Sequence, residues 1–134
     1  MIYTIGKTFD FAASHQLDQL PEGHKCKRLH GHNYTVEIVL AATQLDANGF
    51  VKDYGDLDQV KKLIDEQLDH RHLNDLLSVP TAEILAEWLF NTLILVYPMM
   101  QSVTVRETPK TFATVQRAAL EVGDDISIAG LVER

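Results

Sequence analysis

The segment HNYTVEIVLAA, residues 32–42, decides the fold. Tyr34, Val36, Ile38 and Leu40 alternate with Asn33, Thr35, Glu37 and Val39. Alternation with period two sends successive side chains to opposite faces of a strand, so one face enters a core. Upstream, IYTIGKTFDFAASH alternates more loosely, with Ile5, Lys7, Phe9 and Phe11 against Thr4, Gly6, Thr8 and Asp10. It reads as a strand from Ile2 to Ala13. Between the two lies QLDQLPEGHKCKRL, where Pro21 and Gly23 mark a loop.

Downstream, LDANGF is a turn around Asn48 and Gly49. Asp56 then offers an N-cap for a helix running to about Leu68, with Leu57, Val60, Leu63, Ile64 and Leu68 on one face. DHRHLNDLLSVP reads as an irregular connection. A second helix opens at Thr81 after Pro80, with Leu85, Trp88, Leu89, Thr92 and Val96 as its inner stripe and Pro98 as its end. Two short strands, SVTVRE and FATVQRA, follow around the turn TPK, which suggests a hairpin. Segregated runs of strands and helices imply an α+β fold: a four-stranded antiparallel sheet with two helices on one face. The tail EVGDDISIAGLVER is expected to add a strand or an edge-covering arm.

Bulk properties narrow the function. The 134 residues fit one domain with a modest core, and a small fold that needs a roomy pocket often builds it between subunits. A net charge of −7 argues against nucleic acid or an anionic membrane as partner, since both want a basic surface. The opening MIYTIGKTFDF lacks the basic run and apolar stretch of a signal peptide. The most apolar stretch, AEILAEWLFNTLILVYPMM, is interrupted by Glu83, Glu87 and Asn91, so no membrane span is expected. A lone cysteine, Cys26, fits a reducing compartment, and a cytoplasmic setting is expected.

Chemistry concentrates in GHKCKRLHGHNY, residues 23–34. His30 and His32 share one strand face, about 7 Å apart along the strand. Gly31 between them leaves the other face open for close packing. If the first two strands pair antiparallel, the end of the first brings His15 beside them. Three histidines with one open position are the ligand set of a catalytic zinc. A lone H-x-H pair more often means only a polar strand start; the converging third histidine and the nearby thiol favour metal. His70 and His72 have the same spacing but lie in the irregular connection. Cys26 is either a fourth ligand, which would close a structural site, or a catalytic thiol beside an open one. Lys25, Lys27 and Arg28 around it are singly best read as solvated, yet with His24 they suggest a local anion site. Asp69 and His70 make either an acid–base pair or a favourable helix C-terminus. Glu107, at the end of SVTVRE, could accept paired N–H bonds from a planar heterocycle, although a strand-end glutamate is ordinarily just solvated.

Together these residues resemble the 6-pyruvoyl-tetrahydropterin synthase family. FDFAASH, PEGHKCKRLHGHNY, LDHRHLND, PTAE and VRET occur in the family's order, over about residues 1–118. The resemblance implies the tunnelling fold, zinc (Zn2+) on His15, His30 and His32, and catalysis by Cys26 with the pair Asp69 and His70. It also implies a pterin-anchoring Glu107, Thr81 near the pterin ring, and a homohexamer (a dimer of trimers) with active sites between subunits. The three residues between Cys26 and the HGH resemble the branch of the family that makes 6-carboxy-5,6,7,8-tetrahydropterin in the queuosine pathway; the pyruvoyl-forming branch typically has a longer insertion. Ile84, where asparagine is frequent, is a departure of small expected effect. The implied reaction converts 7,8-dihydroneopterin triphosphate with loss of triphosphate and acetaldehyde and needs no nicotinamide or flavin. Lys25, Lys27 and Arg28 are our own candidates for the triphosphate. A pyruvoyl-forming lyase and a non-catalytic zinc-binding assembly protein are the alternatives. Residues 119–134 lie beyond the family's core as an extension of unknown role.

Overall fold

The computed structural model describes residues 1–118, so the strand or arm expected in the tail lies outside the described residues. Two long strands form the spine. β1 (Tyr3–His15) runs antiparallel to β2 (His30–Ala42) in unbroken register, from Tyr3 opposite Ala42 to His15 opposite His30. The expected alternation holds on β2: Tyr34, Val36, Ile38 and Leu40 are buried, and the residues between them are partly or fully exposed. β1 outruns the expected end at Ala13 by two residues, because Ser14 and His15 continue the pairing with Gly31 and His30.

After β2 the turn around Gly49 forms as expected. Gly49 takes φ 85°, and the Asp46 carboxylate accepts from the N–H groups of Asn48 and Phe50. The first helix enters through a 3-10 turn, Tyr54–Leu57, followed by α1 (Asp58–Gln67). Asp53, rather than Asp56, caps that turn by accepting from Gly55 N–H, and α1 itself starts from Leu57 with no side-chain cap. Leu57, Val60, Ile64 and Leu68 are buried as expected, with Leu63 partly so. The connection after α1 contains a two-residue strand, β3 (Arg71–His72), parallel to β1. His70 makes this possible by adopting a left-handed conformation (φ 59°) that swings the chain back along β1, where its N–H donates to the Ala12 carbonyl at 2.7 Å.

α2 (Ala82–Leu93) opens at Thr81, whose hydroxyl accepts from Ile84 N–H. It stops at Leu93, well short of Pro98. The chain then turns, with the N–H groups of Val96 and Tyr97 both donating to the Leu93 carbonyl. Val96 consequently leaves the helical period and is exposed, and the buried face is Leu85, Ala86, Leu89, Phe90 and Leu93, with Trp88 and Thr92 only partly buried. β4 (Met100–Thr108) and β5 (Thr111–Gln116) form the expected hairpin.

Among the described residues the sheet has five strands in the order β3-β1-β2-β4-β5. The four long strands are antiparallel as expected; the short parallel fifth makes the sheet mixed. Phe9, Phe11, Tyr34, Val36, Ile38, Leu40, Val103 and Val105 form its core face, against which both helices pack. No described helix is long and apolar enough to cross a membrane.

Candidate metal centre and active site

The β1–β2 register places His15 opposite His30 and Ala13 opposite His32. All three histidines fall in the core-facing phase of their strands, at the end of the sheet where the helix layer gives way. His15 is 1% exposed, and His30 and His32 are half-buried. The ligand nitrogens of the three lie within 4.8 Å of one another.

Proton placement follows from the backbone. His15 Nδ1 is 2.8 Å from the Pro80 carbonyl and His30 Nδ1 is 2.7 Å from the Arg28 carbonyl. A carbonyl only accepts, so both Nδ1 atoms carry the proton and both Nε2 atoms present a bare lone pair. Those two Nε2 atoms are 2.9 Å apart. Two lone pairs at that separation repel unless a cation lies between them, so the donor set fits a metal ion. Burial, the largest cause, lowers the His32 pKa, as do His15 and His30, while Glu107 pulls it upward. The neutral imidazole that results is the form a metal needs. Tyr34 closes the buried side, its hydroxyl 3.3 Å from His15 Nδ1, and its pKa is raised by burial first and by Glu107 second. Gly31 permits the tight strand approach: a Cβ there would lie 3.2 Å from the Ala13 carbonyl oxygen.

Glu107 reaches the same place from β4. Its Oε2 is 3.4 Å from His15 Nε2 and 3.7 Å from His32 Nε2. It also lines a cavity of about 310 Å³ together with Glu83, from the first turn of α2. From sequence, Glu83 carries no site role and only interrupts an apolar stretch, although it is the acid of the PTAE motif. Thr81 sits at the same helix start, next to the Pro80 carbonyl that holds His15.

Cys26 lies in a 3-10 turn, Lys25–Lys27, capped by His24 Nδ1. The Cys26 carbonyl accepts from Leu17 N–H at 2.9 Å, which ties the loop to the chain just past His15. The thiol is half-buried and stands outside the group of converging metal ligands. The basic residues divide. Lys27 is committed to the loop itself: its Nζ pairs with Glu22 at 3.1 Å and donates to the Asp18 and Leu20 carbonyls. Lys25 and Arg28 are exposed.

Asp69 and His70 do pair, Oδ1 to Nδ1 at 3.0 Å. The same Oδ1 accepts from Ala12 N–H at 3.0 Å, and this bond is the main cause of the lowered Asp69 pKa, with His70 adding to it. The imidazole is 83% exposed and opens into a cavity of about 510 Å³ that is also lined by Ser14, Gly31 and Asn33. Strand alternation puts those three on the sheet face opposite the triad, while Ala13 and His32 border the same cavity from the triad's own phase. The sequence-selected residues thus form two sets: a triad with Glu107 on the helix side, and Asp69–His70 at the far edge.

Comparisons with known proteins identify the family. The family model described as 6-pyruvoyl tetrahydropterin synthase matches residues 4–118. A protein of Synechocystis named 6-carboxy-5,6,7,8-tetrahydropterin synthase is 38% identical over 115 residues, covering 80% of this chain and 88% of its own. One of the same name from Bacillus subtilis is 32% identical, with 82% of each chain covered. The structure of Caenorhabditis elegans 6-pyruvoyl tetrahydropterin synthase superposes with a TM-score of 0.77 at 28% identity, covering 88% of this chain and 97% of that one. The chain belongs to the 6-pyruvoyl tetrahydropterin synthase family.

Proposed function

We propose that the protein converts 7,8-dihydroneopterin triphosphate and water to 6-carboxy-5,6,7,8-tetrahydropterin, releasing triphosphate and acetaldehyde, as a step toward queuosine or another 7-deazapurine. The observation that carries this reading is the triad of His15, His30 and His32, with backbone carbonyls fixing the tautomers of two of them. The three-residue gap from Cys26 to His30 and the two relatives named as carboxy-forming synthases support the branch.

Zinc held by the triad supplies Lewis acidity that makes the C–H and O–H protons of the substrate side chain easier to remove. Cys26, outside the ligand group, takes a side-chain proton, and His70, held by Asp69, exchanges protons at the other end. Glu107, between the triad and the cleft of Glu83, accepts hydrogen bonds from the substrate on the metal side. Glu107 also anchors the N–H edge of the pterin, with Glu83 lining the same cleft and Thr81 at the helix start beside it. Lys25 and Arg28 attract the triphosphate over distance, while Lys27 stabilises the loop. Reversing Lys25 and Arg28 to glutamate should raise KM, and an unchanged KM removes them from the site.

His70 is exposed at the sheet edge, outside the metal group, which supports an active site completed between subunits; the homohexamer, a dimer of trimers, is carried over from the family resemblance. The sheet has the edges for such assembly. Residues 3–11 of β1 and the outer side of β5 carry no further strand among the described residues. The deciding experiment is mass analysis of the pterin formed when zinc-loaded protein meets dihydroneopterin triphosphate. Carboxytetrahydropterin with acetaldehyde supports the proposal. Triphosphate release without acetaldehyde means the pyruvoyl branch, and no turnover with bound zinc means a structural assembly protein.

A further inference from the structure

The cavity of about 510 Å³ beside His70 has an unusual lining for a protein of net charge −7. It is lined by Arg71, His70, His72, Ser14 and Asn33, and it borders the triad at His32, but its lining includes no carboxylate. We infer that this cavity docks the oligophosphate tail of the substrate, with Arg71 as its anchor and His72 as an oriented donor. The inference rests on the pterin triphosphate reading above.

Arg71 makes no ion pair among the described residues, and its backbone, not its side chain, builds β3. The neighbouring acid, Asp69, is already committed to Ala12 N–H and His70. A guanidinium without a carboxylate partner offers parallel N–H bonds that match two phosphate oxygens. His72 is held by Ser14, whose Oγ is 3.0 Å from His72 Nδ1. With the hydroxyl as donor, a ring proton sits on Nε2, and His72 offers the cavity an N–H. The Asn33 amide adds donors, and Gly31 brings no side chain into the space. By contrast, Lys27 of the basic loop spends its charge on Glu22 and two carbonyls. Docking here also places the leaving triphosphate in the cavity that holds His70, the group proposed to exchange protons on the substrate side chain.

The test uses zinc-loaded full-length protein and two probes: inorganic triphosphate as its magnesium salt, and unphosphorylated 7,8-dihydroneopterin. Binding is measured by calorimetric titration, independently of turnover, with zinc content checked in each variant. Arg71→Gln should weaken inorganic triphosphate roughly tenfold and leave dihydroneopterin within about twofold. His72→Ala should weaken triphosphate by a smaller factor, and Arg71→Lys should restore part of the loss, because charge returns without the planar fork. Wild-type affinity for triphosphate in Arg71→Gln overturns the inference, as does an equal loss for both probes. If wild-type protein binds triphosphate through Arg71 yet does not turn over dihydroneopterin triphosphate, the subsite stands and the proposed reaction falls.

Discussion

Gly31→Ala tests whether the metal site depends on how closely β1 and β2 approach. The added Cβ would sit 3.2 Å from the Ala13 carbonyl oxygen, against 3.4 Å where ordinary contact begins, so something must give by about 0.2 Å. The obstructing atom is backbone, on the strand that ends in His15. Two opposing terms bear on stability. Replacing a strand glycine gains about 0.5–1 kcal/mol by restricting the unfolded chain. Forcing an extra methyl into a packed contact costs about 1–3 kcal/mol. The net should be a loss of about 1 kcal/mol. The metal site should suffer more. Gly31 lies between two ligands and opposite Ser14, the neighbour of the third, and metal–nitrogen distances tolerate only about 0.2 Å. A roughly tenfold or greater fall in zinc affinity is expected, comparable to loss of a group that orients a ligand. Competition with a chromophoric chelator measures the affinity, and urea unfolding of the metal-free protein measures the stability. If the variant gains the full glycine term and binds zinc as wild type does, the close approach has no part in building the site.

Cys26→Ala should retain zinc and lose turnover, whereas His30→Ala should lose both; metal analysis beside the activity assay separates them, and zinc loss in Cys26→Ala would make the thiol a ligand. Chelation should abolish activity, and added zinc should restore it. Asp69 has a folded pKa below its ordinary 3.8, so its contribution to stability is present above that value and lost as pH falls through the lowered one. Asp69→Asn should therefore be less stable than wild type at neutral pH and converge with it in acid, read from unfolding midpoints between about pH 2 and 7; a constant gap across that range would mean that the charge is irrelevant. Glu83→Gln should chiefly raise KM, and Glu107→Gln should lower kcat, since only Glu107 approaches the triad. Equal effects on both parameters in both variants would remove this division of labour.

The parts of the molecule visible in the sequence are those set by short-range periodicity. Tyr34, Val36, Ile38 and Leu40 declare their face by alternation alone. Once β1 and β2 pair antiparallel across one loop, His15 must meet His30. The missed features depend on chain direction or backbone atoms. β3 exists because His70 turns left-handed, and a histidine carries only a weak signal for that conformation. Val96 fits a helical stripe that the chain has already abandoned at Leu93. The carbonyls of Pro80 and Arg28, which set the histidine tautomers, have no side-chain letter at all.

The division of the site between two sheet faces has the same origin. Residues 14 and 15 are neighbours in sequence, yet alternation sends Ser14 to the cavity of His70 and His72, and His15 to the triad. One β1–β2 end therefore serves both the metal-binding group and the cavity of Arg71 and His70, with His32 bordering both. An active site completed between subunits would draw its triad from one copy of the chain and its His70 from another. On this reasoning, mixing inactive His30→Ala protein with inactive His70→Ala protein under conditions that exchange subunits should recover part of the activity. Each mixed interface of one type would pair an intact triad with an intact His70. No recovery, after exchange is verified by mass, would place both sets of residues on one chain's site and remove the between-subunit proposal.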